Sequence, residues 1–387
     1  MISGIIFYFF ILFSSVVFLW LYTFTVKTYY HAGYLSVGTK NNGTSSFFIF
    51  LFMVSPIILI YTMRYGIGTD YFSYKEIYEI LHKASLPEYL TNHNHNIGAY
   101  YVEPGYYLLN RFFCFSYRSL LFITSVIIMF FLYHGILSLT HKSFLPLCVL
   151  IYFCTQFIYS MNGVRFTIAI TIVFWGIQFI IKKKCWLWIL CIILAMGFHK
   201  TSLICFPLYF LGEMSSKRIA KIRNYLWYFF IFAFPMLWKG LFEVTKEISI
   251  FSRYFTTAIY TISNFTLKPM FLFHILPVLF PLFFAKRQFI LHDEKASLLL
   301  KIMLFEIPLR ELGSLNTFLT RFARFPQMVQ IVFIPYVLSS VKNQKLRVIL
   351  TIYYVAWYSF YFIYGAIVND AGDSLPYRSI LFMSGAM

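Results

Sequence analysis

The sequence predicts an all-α fold: a polytopic transmembrane helical bundle. Three observations carry that prediction. Of 387 residues, 60% are hydrophobic and only 12% are charged, with a mean hydropathy of +0.72, and a water-soluble domain cannot hide that much apolar surface. Apolar runs of the ~17–25 residues needed to cross hydrocarbon recur along the whole length. The basic residues fall in short clusters between those runs, as topology signals do.

The runs predict about ten full spans, at roughly 2–26, 46–63, 119–140, 144–160, 164–181, 225–241, 269–285, 296–312, 325–341 and 348–367. The first has no basic leader and no A-x-A site, so it reads as a retained span and not a cleaved signal. With the N-terminus outside, sixteen of the 32 Lys and Arg fall in short inside loops. These are Lys27 and Lys40; Lys142; Lys182, Lys183 and Lys184; Lys217, Arg218, Lys221 and Arg223; Lys286, Arg287 and Lys295; and Lys342, Lys345 and Arg347. The acids of the inside loops are Glu213, Asp293 and Glu294, and most others fall outside. The chain is thus expected to be one integral membrane domain, 1–387, with its largest outer segment at 64–118.

One stretch strains the scheme. Residues 186–212 lie between two strongly basic loops. Both loops can be inside only if the chain goes out and returns within that stretch, in arms of about a dozen residues at 1.5 Å per residue against ~30 Å of hydrocarbon. A re-entrant pair of half-helices satisfies this, with Gly197-Phe198-His199-Lys200 at the tip. The alternative is one long span with His199 in mid-helix, which puts the 217–223 basic cluster outside.

Composition excludes other classes. A net charge of +18 would suit nucleic acid only if the basic residues shared one wet face. Of the six cysteines, Cys148, Cys154, Cys191 and Cys205 sit in apolar runs, and no C-x-x-C occurs, so neither a zinc site nor a disulfide framework is implied. His82, His93 and His95 crowd one polar loop without a recognisable third ligand.

The chemistry is concentrated outside the membrane. Arg64-Tyr65-Gly66-Ile67-Gly68-Thr69-Asp70-Tyr71-Phe72-Ser73-Tyr74 places a cation and an anion in a Gly- and Tyr-rich turn at a membrane edge. Glycines let backbone approach a ligand closely, and Tyr71 and Tyr74 offer flat faces with a hydroxyl, as sugar sites do. Asp70 orients a sugar, holds Arg64 or caps the turn. Lys75–Leu90 is amphipathic, a polar Asn/His hinge follows at 91–98, and Glu103–Phe113 is amphipathic again. Glu103 precedes a Pro-Gly helix start carrying Tyr106, Tyr107 and Arg111, and is either a helix-dipole acid, a base or a sugar-hydroxyl acceptor.

Arg165 opens a helix after the turn Met161-Asn162-Gly163-Val164, where a guanidinium fork meets phosphate oxygens or snorkels to headgroups. Arg64, Arg321, Arg324 and Arg378 join it on the outer side, where topology does not call for arginine. Together they suit a polyanion such as a lipid pyrophosphate, or else they pair with Asp70, Glu103, Asp370 or Asp373. His199 is a candidate general base with a suitable ordinary pKa, or a buried histidine bonded to backbone. Glu306 and Arg310, four apart within one span around Pro308, are an intramembrane pair that serves either function or helix packing.

Taken in order, these pieces resemble the EpsG family of Wzy-type polysaccharide polymerases. The matching motifs are Arg64-x-Gly-x-Gly-x-Asp70-Tyr71-x-x-Tyr74, Glu103-Pro-Gly-Tyr-x-x-Leu-Asn110-Arg111, Asn162-Gly-x-Arg165 followed by Ala169, Phe198-His199-Lys-Thr-Ser202, Arg321 near Ile334-Pro335, and Pro376-Tyr377. Two departures are Phe166, where family members often carry Gln, and Arg324, where an aromatic is common. The resemblance implies joining of oligosaccharide repeat units carried on undecaprenyl pyrophosphate, at the outer face of the bacterial cytoplasmic membrane. It implies no nucleotide sugar, metal or other cofactor, and no nucleic acid. Its partners would be membrane lipid, a chain-length regulator and a flippase. Arg64, Arg165, Arg321, Arg324, Arg378, Arg111, Tyr71 and Tyr74 would then bind substrate, with His199, Glu103 and Asp70 as the catalytic set. Transfer would proceed by single displacement with inversion.

Two rivals remain at this stage. A polysaccharide O-acyltransferase also uses a buried histidine, but its donor arrives from inside, which leaves the outer arginines unexplained. A lipid-linked oligosaccharide flippase calls for a charged central path and two-fold internal similarity.

Overall fold

The computed structural model describes residues 2–31, 43–83, 89, 96–97, 100–112, 115–212, 225–227, 229, 231, 274–280, 293–312, 317–368 and 373–382. Over these residues the fold is helical, apart from one two-residue antiparallel ribbon. In chain order the elements are α1 (Ile2–His31), α2 (Gly43–Met53), α3 (Ser55–Met63), α4 (Tyr71–Lys83), β1 (Asn96–Ile97), β2 (Tyr100–Tyr101), α5 (Pro104–Phe112) and α6 (Tyr117–Leu139). There follow α7 (Lys142–Asn162), α8 (Val164–Ile181), α9 (Cys185–Met196) and a 3₁₀-helical segment, Lys200–Leu211. The remainder comprises α10 (Glu294–Leu304), α11 (Glu306–Leu312), α12 (Thr317–Phe322), α13 (Arg324–Met328), α14 (Gln330–Ser340) and α15 (Gln344–Val368).

Among the described residues, five helices are long and apolar enough to cross a membrane: Ser3–Thr23, Tyr117–Leu139, Lys142–Asn162, Val164–Ile181 and Gln344–Ile367. A sixth span results if α2 and α3, bent by 58° at Val54, count as one. Pro56 at the start of α3 accounts for the bend, since it lacks the N–H that would continue the ladder. About ten full spans are therefore not seen among the described residues. The runs at 225–241 and 269–285 lie mostly outside them.

The 296–312 run is not one helix. It breaks at Phe305, between α10 and α11, because the Pro308 ring excludes the bond to the Leu304 carbonyl four residues back. The 325–341 run is likewise interrupted, at Val329, whose N–H bonds the Pro326 carbonyl three residues back at 3.1 Å. Capping fixes other starts. Ser116 and Ser119 form a reciprocal capping box ahead of α6, and the Asp293 carboxylate accepts from Ala296 N–H at 2.8 Å to open α10.

The chain divides into two compact units. The first comprises 1–178, 186–206 and 353–387, and the second 179–185 and 207–352. Within the first, α7 is the most buried span and α1 is largely exposed along its length. Burial on all sides explains why α7 is apolar all round and carries a π-helical turn at Phe153–Phe157 without loss of packing. Tyr8 of α1 anchors one side of this core, edge-on to Phe153, Phe157 and Phe362, with its hydroxyl donating to the Ser374 carbonyl.

The α9 arm and the segment after it are each 12 residues long, too short to cross ~30 Å of hydrocarbon. The chain turns between them at Gly197–His199, and Trp188 Nε1 donates to the Phe206 carbonyl at 3.1 Å, so the return strand runs back alongside α9.

Candidate active site

The two motifs at 64–74 and 161–165 form one structural element. Gly66 and Gly68 have φ of +59° and +96°, the left-handed region that favours glycine. A Cβ on Gly68 would stand 2.8 Å from the Met161 carbonyl oxygen, so only glycine lets the turn seat directly on the end of α7. There the Asn162 side-chain oxygen accepts from Thr69 Oγ1 at 2.9 Å and from Asp70 N–H at 3.0 Å. The Gly68 carbonyl then accepts from Tyr71 N–H, and that of Asp70 from Tyr74 N–H, which starts α4 four residues ahead of the predicted Lys75. Among the described residues the half-buried Asp70 carboxylate has no hydrogen-bond or ion-pair partner.

Arg64 and Arg378 support this turn. Arg64 is buried, donates to the carbonyls of Tyr61 and Met161 at 2.8 and 3.2 Å, and lies 4.1 Å over the Tyr61 ring and 6.0 Å from that of Tyr71. Arg378 donates to the carbonyls of Gly66 and Asp373, and its own carbonyl accepts from Tyr65 N–H. The 373–382 segment is thereby stitched to the end of α3, with Tyr377 hydroxyl on Ile60 and Ser379 hydroxyl on Met63. These two arginines hold backbone carbonyls.

Arg165 differs. It is the second residue of α8. Its Nη1 lies 2.6 Å from Glu103 Oε2 and donates to the Tyr101 carbonyl at 2.7 Å. The guanidinium sits 5.7 Å from the ring centres of both Tyr74 and Tyr106, within cation–π range. Its buried Nε has no hydrogen-bond partner. The side chain is 19% exposed, against 4% for Glu103. A partly accessible cation held on one edge at a helix N-terminus is suited to meet an anion.

Glu103 is committed to this arrangement. Its carboxylate meets Arg165 Nη1 at 2.6 Å. Burial pushes its carboxyl above the usual range, and Arg165 only partly offsets that. Paired with Arg165 in a buried setting, this carboxylate fixes the direction of the guanidinium.

A backbone contact brings the turn at 197–199 to the same place. Gly105 N–H donates to the Gly197 carbonyl at 2.6 Å, an approach that a Cβ on Gly105 would block. Lys200 Nζ lies 4.4 Å over the Tyr101 ring. His199 packs edge-on against Phe166 at 5.0 Å, and its Nδ1 is 2.6 Å from Thr201 Oγ1. The aromatic that replaces the family's usual glutamine is thus the surface against which His199 rests.

The remaining predicted residues are placed elsewhere. Tyr71 is buried between Tyr65 and Tyr117. Arg111 is exposed on α5, 3.5 Å from the His82 carbonyl. Arg321 and Arg324 belong to the second unit, where Arg324 Nη1 donates to Gln327 at 3.0 Å. In that unit Glu306 and Arg310 form an ion pair: Arg310 Nε meets Glu306 Oε1 at 2.5 Å, and Gln330 donates to Glu306 Oε2 at 2.7 Å. Sequence reading did not single out Tyr106, Thr201 or Asn162 for a role, although each stands in or beside a quoted motif.

Interrupted apolar helices around a charged, tyrosine-lined cluster define a multi-pass membrane protein with a polar site built from loop and helix-end residues. The EpsG family model matches residues 47–379, and the chain belongs to that family, whose members are Wzy-type polysaccharide polymerase-like proteins. Its place is therefore in polysaccharide biosynthesis. Comparison with curated proteins and with solved structures returns no match.

Proposed function

We propose that this protein joins oligosaccharide repeat units carried on undecaprenyl pyrophosphate, at the outer face of the cytoplasmic membrane. The observation that carries the reading is Arg165: a partly accessible guanidinium fixed by Glu103 and Tyr101 and flanked by Tyr74 and Tyr106.

In the reaction, the bond between the anomeric carbon of the growing chain and its pyrophosphate oxygen breaks. A hydroxyl oxygen of the incoming unit forms the new bond from the opposite face, inverting the configuration. The leaving pyrophosphate keeps the electron pair, and Arg165 stabilises the charge that develops on it. His199 takes the hydroxyl proton. If Nδ1–H donates to Thr201, the lone pair lies on Nε2, the tautomer a general base requires. Glu103 fixes the guanidinium, and Asp70 accepts from sugar hydroxyls. The turn at 197–199, read as the tip of a re-entrant hairpin, delivers His199 to this face.

The test is a size ladder of surface polysaccharide from cells lacking the protein, complemented with wild type or Arg165→Ala. Single repeat units in the deletion, long chains with wild type, and short ones with the variant at normal membrane levels support the reading. Normal chain length with lost acetyl groups overturns it in favour of an acyltransferase. Failure of lipid-linked repeats to reach the outer face overturns it in favour of a flippase.

A further inference from the structure

Asn162 lies outside the chemistry assigned above, yet it joins the two halves of the site. Its side-chain oxygen accepts both the Thr69 hydroxyl and the Asp70 N–H, at 2.9 and 3.0 Å. Three residues later in the chain stands Arg165, and Thr167 N–H closes the first turn of that helix onto the Gly163 carbonyl at 2.8 Å. Asn162 thus stands three residues ahead of Arg165 in the chain and bonds the Asp70 N–H through its side chain. On the Asp70 side, α4 carries the register onward: Tyr74, one turn after Asp70, packs its ring on Arg165. Asp70 and Arg165 are thus connected twice, through Asn162 and through Tyr74.

The chemistry of Asn suits this role. An amide oxygen accepts two hydrogen bonds without bringing charge. A carboxylate there would repel both Asp70 and an anionic substrate. Gly68, seated against the Met161 carbonyl, lets the loop come close enough for both bonds to form.

We propose that Asn162 is a positioning residue, which holds the sugar-binding carboxylate of Asp70 in register with the anion-binding guanidinium of Arg165. The proposal rests on the polymerase reading. It deepens it by assigning repeat-unit recognition to the Asn162–Asp70 pair, separately from the chemical step.

A double-mutant cycle tests it, using purified full-length protein and the lipid-linked repeat units that accumulate in cells lacking it. Asp70→Ala and Asn162→Ala are each expected to raise KM about tenfold, with kcat within about twofold, the scale of one or two lost hydrogen bonds. Asp70→Ala leaves the backbone N–H on Asn162 intact. If Asn162 acts through the Asp70 carboxylate, adding Asn162→Ala to Asp70→Ala changes KM no further. Thr69→Val, which removes one of the two donors, should fall between wild type and Asn162→Ala.

Additive effects on KM, a main loss in kcat, or a wild-type KM for Asn162→Ala would each overturn the proposal while leaving the polymerase reading standing. Wild-type protein that elongates nothing would overturn both.

Discussion

Arg165 Nη1 lies 2.6 Å from Glu103 Oε2, and the same nitrogen donates to the Tyr101 carbonyl at 2.7 Å. A guanidinium held from one edge and flanked by two tyrosine rings has its direction fixed before any substrate arrives. Such preorganisation is what stabilises a developing anion at little reorganisation cost. Arg165→Ala should lower kcat by about 100-fold or more. Arg165→Lys should recover little, because a point charge cannot bond carboxylate, carbonyl and substrate in one plane. Elongation rates of purified variants at matched protein levels check both.

Glu103 gives a pH dependence with a definite sign. Burial raises its carboxyl above the ordinary value of 4.5, so as pH falls it protonates earlier than an exposed glutamate and releases Arg165. Activity should drop on the acid side at a pH above that ordinary value, and Glu103→Gln should abolish this limb along with much of the rate. Stability moves the opposite way. The native state holds the proton more tightly than the unfolded chain, so Glu103's contribution is fully present below 4.5 and is lost as pH rises through the raised native value. Rate profiles and thermal unfolding of wild type and Glu103→Gln across that window read the two effects separately.

His199 and Thr201 make a second separable pair, 2.6 Å apart. His199→Gln should cost about 100-fold in kcat with KM little changed, the range of general base catalysis. Thr201→Val should cost about tenfold, since the hydrogen bond that sets the tautomer is lost. Thr201→Ser, which keeps the hydroxyl, should restore most of it. A KM effect from Thr201→Val with kcat intact would contradict the assignment.

Two glycines differ in what they tolerate. Gly68→Ala adds both a strained φ and a 2.8 Å clash with backbone, and should destabilise by about 2 kcal/mol or more. Gly66→Ala meets only the Phe72 ring at 3.4 Å, so it should bear the φ strain alone, about 1 kcal/mol. Thermal unfolding in detergent should rank them in that order.

In the second unit, Glu306 is fully buried and is held by Arg310 and Gln330. Glu306→Ala leaves a guanidinium without its counter-charge in an apolar setting, and should cost about 3–5 kcal/mol. Membrane levels of the variant should fall accordingly, whereas Arg111→Ala, on an exposed face of α5, should leave them unchanged.

Much of this was legible in the sequence, and the limits have physical causes. The spans at α1, α6, α7, α8 and α15 follow from apolar length alone. The start of α8 beside Arg165 followed from the Asn-Gly turn. The breaks at Phe305 and Val329 did not follow from hydropathy, because a proline changes the hydrogen-bond ladder without lowering the apolar average. Glu103 and Arg165 each stood out, yet their pairing is a contact between residues 62 positions apart, which no local pattern encodes. Arg64 and Arg378 show the converse. Charge and position suggested anion ligands, but carbonyls left over at turn and helix ends claimed them.

Elongation by the purified protein tests the central claim most directly. Wild type or Arg165→Ala would be supplied with lipid-linked repeat units, and both the oligosaccharide ladder and the released lipid pyrophosphate followed. The account predicts that wild type builds a ladder and releases one lipid pyrophosphate per added unit, and that Arg165→Ala does neither at a comparable rate. A wild type that leaves the units unjoined, or an Arg165→Ala variant that elongates as fast as wild type, would contradict it.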